Sequence, residues 1–430
     1  MQQPFTGGSI RAALWLFLLS QSASAFDYTI NVGYQADYTT NTARTEADEI
    51  DEIIHRPSID TQIVHDGPSI FLEGDYQYER RIYSEDFFED NDVVTGAGEL
   101  VWHVIDQKLD LRVANTRTES TIQAFQANTP GNRQVSSETR AGPILTLPVR
   151  GADEFQLEYE FTSFDSETTD TSGDRQAAIA RYILALSANR SITLELNRSE
   201  DDFDTEFAPD IESDTASLTY ASLGERLELS VTAGYEKTQR SLGRDDLGGA
   251  VGNLSAIFRF NDAQRLEFTY VNDFNDRTLV LGAGRARFGD DNNADSDLSE
   301  LFEENNSTLR YVHDFGRTSM NGEINYRQLD FDDGVPRDQL STGLSIGLDH
   351  QLSPNTNFNA QISVTKRDFQ DIDRVDDELR GNARLVWQAT RNIQVSTGVR
   401  FTERDSEIDT FNFEEWVATV GFFYNFVGTN

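Results

Sequence analysis

Charged side chains recur at every second position of several extended runs, and their spacing suggests a lining for water. In the stretch EFQLEYEFTSF, Glu154, Glu158 and Glu160 alternate with Phe155, Leu157, Tyr159 and Phe161. The same parity collects Glu73, Asp75, Glu79, Asp110, Glu195 and Glu228 in the first half of the chain. Arg259, Arg265, Arg310, Arg327, Arg380, Arg384 and Arg400 follow in the second half, while Arg112 and Glu267 stand on the opposite halves. Two arcs of opposite sign facing one another across water would set up a transverse field that orders polar solutes. Neighbouring Glu–Arg pairs that merely neutralise the interior are an equal alternative.

Other chemistry is poorly supplied. The histidines His55, His65, His103, His313 and His350 are scattered without metal-ligand or catalytic spacing. A hydrolase would need a nucleophile and a base converging at one place, and nothing in the spacing points to one. The stretch GDDNNADSDLSE, Gly289 to Glu300, resembles a calcium loop only superficially, because it lacks the glycine at the sixth position. The reading is therefore a non-enzyme with no cofactor and no dedicated metal site. Acidic stretches such as TEADEIDEI, SEDFFEDND, SEDDFDTEF and GDDNNADSD are read as solvated loops that could also gather divalent cations, bridging them to anionic lipopolysaccharide.

The elements that carry these residues must be strands. Side chains on an extended chain point alternately to opposite faces, so a two-residue period gives each run one apolar and one polar face. Leu227, Leu229, Val231, Ala233 and Tyr235 oppose Glu228, Ser230, Thr232 and Glu236; Ile393, Val395, Val399 and Phe401 oppose Gln394, Ser396 and Arg400. Tight turns centre on DGP (66–68), DQK (106–108), RGAD (150–153), SANR (187–190), LGER (223–226), NDAQ (261–264), DFGR (314–317), SPN (353–355) and TRN (390–392). Each is followed by a strand and then a polar acidic stretch, and the repeat precedes any motif in importance. Nine hairpins with a first strand, Phe26 to Tyr38, and a last, Trp416 to Phe426, make about twenty strands. Runs of ~9–11 residues with short turns on one side and long loops on the other fit an all-β, antiparallel, up-and-down transmembrane barrel. Both chain ends then lie on the short-turn, periplasmic side. The longest loop is Val271 to Asn306, which could enter the lumen or stay at the surface.

Composition agrees. The 430 residues carry 74 acidic and 36 basic side chains for a net charge of −38, yet 11% are aromatic, which sets the chain apart from a disordered acidic polymer. So much negative charge repels nucleic acid. Mean hydropathy is −0.53, low for a membrane protein. A barrel resolves this, since it turns only alternate residues to lipid and keeps a polar interior. The competing architecture is a soluble array of β-sandwich modules with the apolar faces inward. There are no cysteines and hence no disulfides. Residues 1–25 read as a signal peptide, with basic Arg11, the apolar run Ala12 to Leu19 and the small-residue Ala23-Ser24-Ala25 before Phe26; residues 26–430 form the barrel. The final run WVATVGFFYNF puts Trp416, Val420, Phe422, Tyr424 and Phe426 on one face, as a closing strand requires, although Val427 to Asn430 follow it.

The stretch FQANTPGNRQVSSETRAGPILTL, Phe125 to Leu147, with NTPGNRQ followed by AGP and an apolar alternation, resembles the outer-membrane proteins associated with exosortase and PEP-CTERM systems. These are close to the β-barrel porins of polysaccharide loci. The resemblance implies an outer-membrane barrel linked to exopolysaccharide production or export. Locally, Pro130 and Gly131 suffice to make a turn leading into a strand.

The expectation is a bacterial outer-membrane channel for small polar solutes or polysaccharide export, surrounded by membrane lipid and lipopolysaccharide. A structural or adhesive surface barrel with acidic loops and no open pore is the alternative. Strands begin almost at the mature N-terminus, which argues against a plug-bearing, energy-coupled receptor. The transverse field has a direct test in the double variant Arg380→Glu plus Arg384→Glu. The field predicts an altered single-channel ion selectivity, and unchanged selectivity removes it.

Overall fold

The computed structural model describes residues 26–429 apart from 48, 86, 123–125, 169–171, 205–209, 242–245, 277–300, 332–337 and 371. The predicted signal peptide and the Gly289–Glu300 stretch lie outside the described residues, as does most of the longest loop.

Twenty strands form one sheet. They are β1 (Asp27–Thr39), β2 (Glu52–Asp66), β3 (Ile70–Tyr83), β4 (Asn91–Ile105), β5 (Leu109–Thr121), β6 (Arg133–Arg150), β7 (Asp153–Ser166), β8 (Ser172–Ser187), β9 (Arg190–Phe203) and β10 (Ile211–Leu223). The chain continues through β11 (Leu227–Arg240), β12 (Leu247–Asn261), β13 (Gln264–Asp276), β14 (Leu301–Asp314), β15 (Thr318–Phe331), β16 (Gln339–Ser353), β17 (Thr356–Phe369), β18 (Arg374–Gln388), β19 (Ile393–Ser406) and β20 (Phe413–Thr429). Each strand pairs antiparallel with its sequence neighbours. The last meets the first from Asp27↔Thr429 to Thr39↔Val417, so the sheet closes into a barrel. The short turns fall where the repeat places them, from 66–70 through to 388–393.

Two details differ from the sequence reading. The strands run 13 to 18 residues rather than the ~9–11 that span hydrocarbon. Part of Val271 to Asn306 is also strand, because Val271 pairs Asn306 and the ladder continues to Asp276↔Leu301. The cause is the same in both cases. Above the membrane a strand stands in water on its outer side, so it needs no apolar alternation and reads as loop. Asp165 on β7, Asp174 on β8 and Glu200 on β9 occupy outward positions above apolar ones on such extensions.

The outward face is the apolar one. Leu157, Tyr159 and Phe161 on β7, Leu194 and Leu196 on β9, Leu218 on β10 and Ile346 on β16 are all exposed. Aromatic residues edge this band: Tyr28, Trp102, Trp387 and Phe426 near the short turns, Tyr38, Tyr235, Tyr326 and Trp416 near the opposite rim. Such paired girdles mark the two membrane–water interfaces. Inside, the proportions invert. Thirteen hydrophobic residues are buried among the described residues against thirty-two polar or charged ones, so the interior is not a hydrophobic core. That distribution excludes the soluble sandwich array, which would bury its apolar faces.

The AGP triplet, Ala141 to Pro143, lies within β6. The β6–β7 ladder is interrupted between Ala141↔Phe161 and Ile144↔Glu158. A Cβ on Gly142 would stand 1.8 Å from the Tyr159 carbonyl oxygen, so only glycine permits this approach beside a proline that donates no hydrogen bond.

Candidate functional site

The inner wall is the surface on which solutes could act, and register decides which side chains reach it. Residues directly opposite one another in an antiparallel ladder share a face. By that rule Glu73 and Asp75 (opposite Val64 and Gln62) point inward, as do Glu154, Glu158 and Glu160 on β7 and Glu195 on β9. Glu228, Arg259, Arg265, Arg310, Arg327, Arg380, Arg384 and Arg400 occupy the same inward face on β11 to β19.

Most of these charges are paired with near neighbours. Arg181 joins Glu158 (2.6 Å) to Glu195 (2.5 Å) across β7, β8 and β9. Arg259 meets Glu228 at 2.7 Å, and Arg265 meets Glu267 at 2.6 Å. Arg310 approaches Glu267 at 3.9 Å, and Arg327 binds Glu304 at 2.9 Å. Arg112 binds Glu99 at 2.5 Å, Arg380 pairs with Glu378, and Arg384 donates to the Ser396 hydroxyl at 3.4 Å. Glu160 accepts from Thr162 at 3.5 Å, whereas Glu73 and Asp75 are exposed on the inner face. The geometry thus brings opposite charges together locally, strand by strand. It does not leave two arcs of bare like charge.

A second set of charges escaped the sequence reading. At the rim opposite the short turns, an ionic belt runs round the inside. Arg374 donates to both oxygens of Asp376 and sits between the Phe369 and Phe411 rings, 4.7 and 3.6 Å from their centroids. Glu378 collects Arg404 at 2.8 Å, Arg367 at 3.4 Å and Arg380. Glu415 accepts from Arg44 and from the Thr39 hydroxyl, both at 2.9 Å. Arg56 then spans Asp37 and Glu79, and Arg81 spans Glu79 and Glu119. On the far side Arg175 chelates Asp201 and Arg140 meets Glu138. Asp201 belongs to the acidic stretch read as solvated loop, yet its side chain is 2% exposed. The missed signal is alternation of charge itself: Arg374, Asp376, Glu378 and Arg380 stand two residues apart on one strand, as do Glu79 with Arg81 and Glu138 with Arg140.

Burial makes this belt consequential, because removing one member of a buried pair strands an uncompensated charge. The histidines are engaged one at a time. His103 bonds Asp110 at 2.7 Å and His55 bonds Tyr34 at 2.6 Å; His313 contacts Gln264 and His350 contacts Thr318.

With this geometry in hand, likeness to known proteins becomes interpretable. Residues 338–426 match the family model described as "Putative beta-barrel porin 2". The FrpB iron transporter of Neisseria meningitidis (F5-1 variant) superposes with a TM-score of 0.53 at 9% identity, covering 95% of this chain and 83% of that one. The siderophore receptor PirA of Pseudomonas aeruginosa gives 0.52 at 10% identity, covering 95% and 81%. At such identities the superpositions speak to fold alone. No curated protein matches the chain. Closed strand topology, the girdled apolar band and the porin-model match define a porin-like β-barrel of the bacterial outer membrane.

Truncating Glu378 to alanine leaves Arg404, which is 3% exposed, without its carboxylate. The expected loss is ~3–5 kcal/mol in urea unfolding from lipid vesicles. Arg198→Ala, which removes an exposed outward pair with Glu212, should cost ~0–1 kcal/mol. Equal losses for the two variants would contradict a structural role for the belt.

Proposed function

We propose that this barrel is a non-enzymatic, porin-like channel that passes small polar solutes across the outer membrane, in the service of exopolysaccharide production or export. The observation that carries the reading is the inner wall. Its buried side chains are mostly polar or charged, while its outer counterpart is apolar across the membrane band. A wall of paired but solvent-facing charges suits hydrated solutes, because it offers donors and acceptors in place of lost water. The porin-model match supports passage, and the resemblance at Phe125 to Leu147 supports the polysaccharide association.

The surrounding partners are outer-membrane lipid and lipopolysaccharide, with divalent cations between them and the acidic rim. Register supports the cations. Asp377 faces Asp405 and Glu403 faces Glu414 on the outward side of neighbouring strands. Like charges directly opposite destabilise a ladder unless something positive lies between them.

Conductance of the reconstituted protein in planar bilayers tests the channel. The expected record is a steady open step in potassium chloride. Persistent silence from inserted, folded protein would instead favour a structural or adhesive barrel with a blocked lumen.

A further inference from the structure

The short turns repeat more than a connection. Six of the nine carry a basic side chain: Lys108, Arg150, Arg190, Arg226, Arg317 and Arg391. All six are exposed, and none makes an ion pair among the described residues. They differ in this from arginines of the wall and the far rim such as Arg81, Arg181 and Arg404, which carboxylates hold at 2.6 to 2.8 Å.

The nine turns also contain six carboxylates, but these are placed differently. Asp153 accepts from the Ala185 amide at 3.1 Å and from the Tyr182 hydroxyl at 3.5 Å, and Asp314 lies 3.9 Å from Arg265. A carboxylate is also short, whereas the stems of lysine and arginine lie along apolar surface and present their charge at its edge. Apolar surface is at hand. Val149, Leu227, Phe315 and Trp387, each within four residues of a turn cation, are all exposed. The opposite rim has another character, since Asp165, Asp174 and Glu200 stand on its outward side.

An unpaired cation beside a bare apolar side chain, repeated round the edge of a barrel, matches the boundary between acyl chains and phosphate headgroups. A soluble acidic partner would use the cations and leave the apolar residues uncovered. We propose that the short-turn rim is an interaction surface for anionic phospholipid in the leaflet it meets, with headgroup phosphates drawn to the turn cations and acyl chains covering the apolar residues between them. This surface does not depend on whether the lumen conducts. For a chain of net charge −38, bulk electrostatics alone would repel such lipid, so attraction confined to one rim is a distinctive outcome.

Tryptophan supplies the reporters. Outside residues 1–25, Trp102 and Trp387 lie near the short turns and Trp416 lies near the other rim. In a Trp416→Phe variant folded into phosphatidylcholine vesicles, quenching by brominated phosphatidylglycerol is compared with quenching by brominated phosphatidylcholine at one fixed mole fraction. The anionic lipid should associate about fivefold more strongly around these reporters, the factor that one cation near an anionic surface supplies. Adding Lys108→Gln and Arg391→Gln, verified as folded by heat-dependent gel mobility, should abolish the preference. So should ~1 M salt, where the Debye length falls to ~3 Å. Trp416 alone, after Trp102→Phe plus Trp387→Phe, should show no preference. Equal association of the two lipids at the short-turn reporters overturns the surface and leaves the cations to a soluble anionic partner. A preference that survives the turn substitutions or the salt, or that is as strong at Trp416, overturns it too.

Discussion

Backbone hydrogen bonding in a medium without water is the constraint on which the rest of this structure depends. A peptide group left unpaired in hydrocarbon costs several kcal/mol, so strands can cross only when the sheet has no edge. Here the requirement is met by thirteen registered pairs between β1 and β20, from Asp27↔Thr429 to Thr39↔Val417. Once the ladder closes, alternation does the remaining work. One face of every strand must look at lipid and the other must look at the strand opposite across the lumen. The same rule accounts for a membrane protein whose mean hydropathy is negative.

A wide barrel cannot fill its interior with apolar side chains, and this one holds its shape differently. Salt bridges tie several strands to their neighbours along the wall, among them β7 to β9, β11 to β12 and β14 to β15, and near the extracellular end they merge into a belt from Arg374 and Glu378 through Glu415 and Arg56 to Glu119. Such pairs seldom stabilise more than well-packed apolar groups would. Their value here is positional. They fix inward side chains where solute must pass, and they stiffen strand extensions that have no lipid to pack against.

The fold was legible because its signal is periodic. The alternation at Glu154–Phe161 and the turns from DGP to TRN were enough for strand number and closure. Strand length was not legible. Residues such as Asp201 and Asn306 lie on extensions bathed by water, where apolar alternation fades and a strand resembles an acidic loop. The electrostatics were half visible. Parity identified Arg380 as inward, but its carboxylate, Glu378, is set by spacing within the same strand, and Arg181, which ties Glu158 to Glu195, carried no signal of its own. Neither Arg44 nor Arg133 was foreseen at the rim, since both depend on how loops fold back over the lumen.

The central claim is that the apolar rows face acyl chains and the charged rows face water. The chain has no cysteine, so single cysteines can be placed without background. Nitroxide labels at consecutive positions from Leu218 to Lys237, through the β10–β11 hairpin, measured in lipid vesicles for relaxation by oxygen and by a water-soluble nickel complex, report each side chain's surroundings directly. The account predicts alternation along both strands, with Leu218, Val231 and Tyr235 preferring oxygen and Thr219, Thr232 and Glu236 preferring nickel. Uniform accessibility along the hairpin, or the opposite parity, would contradict it.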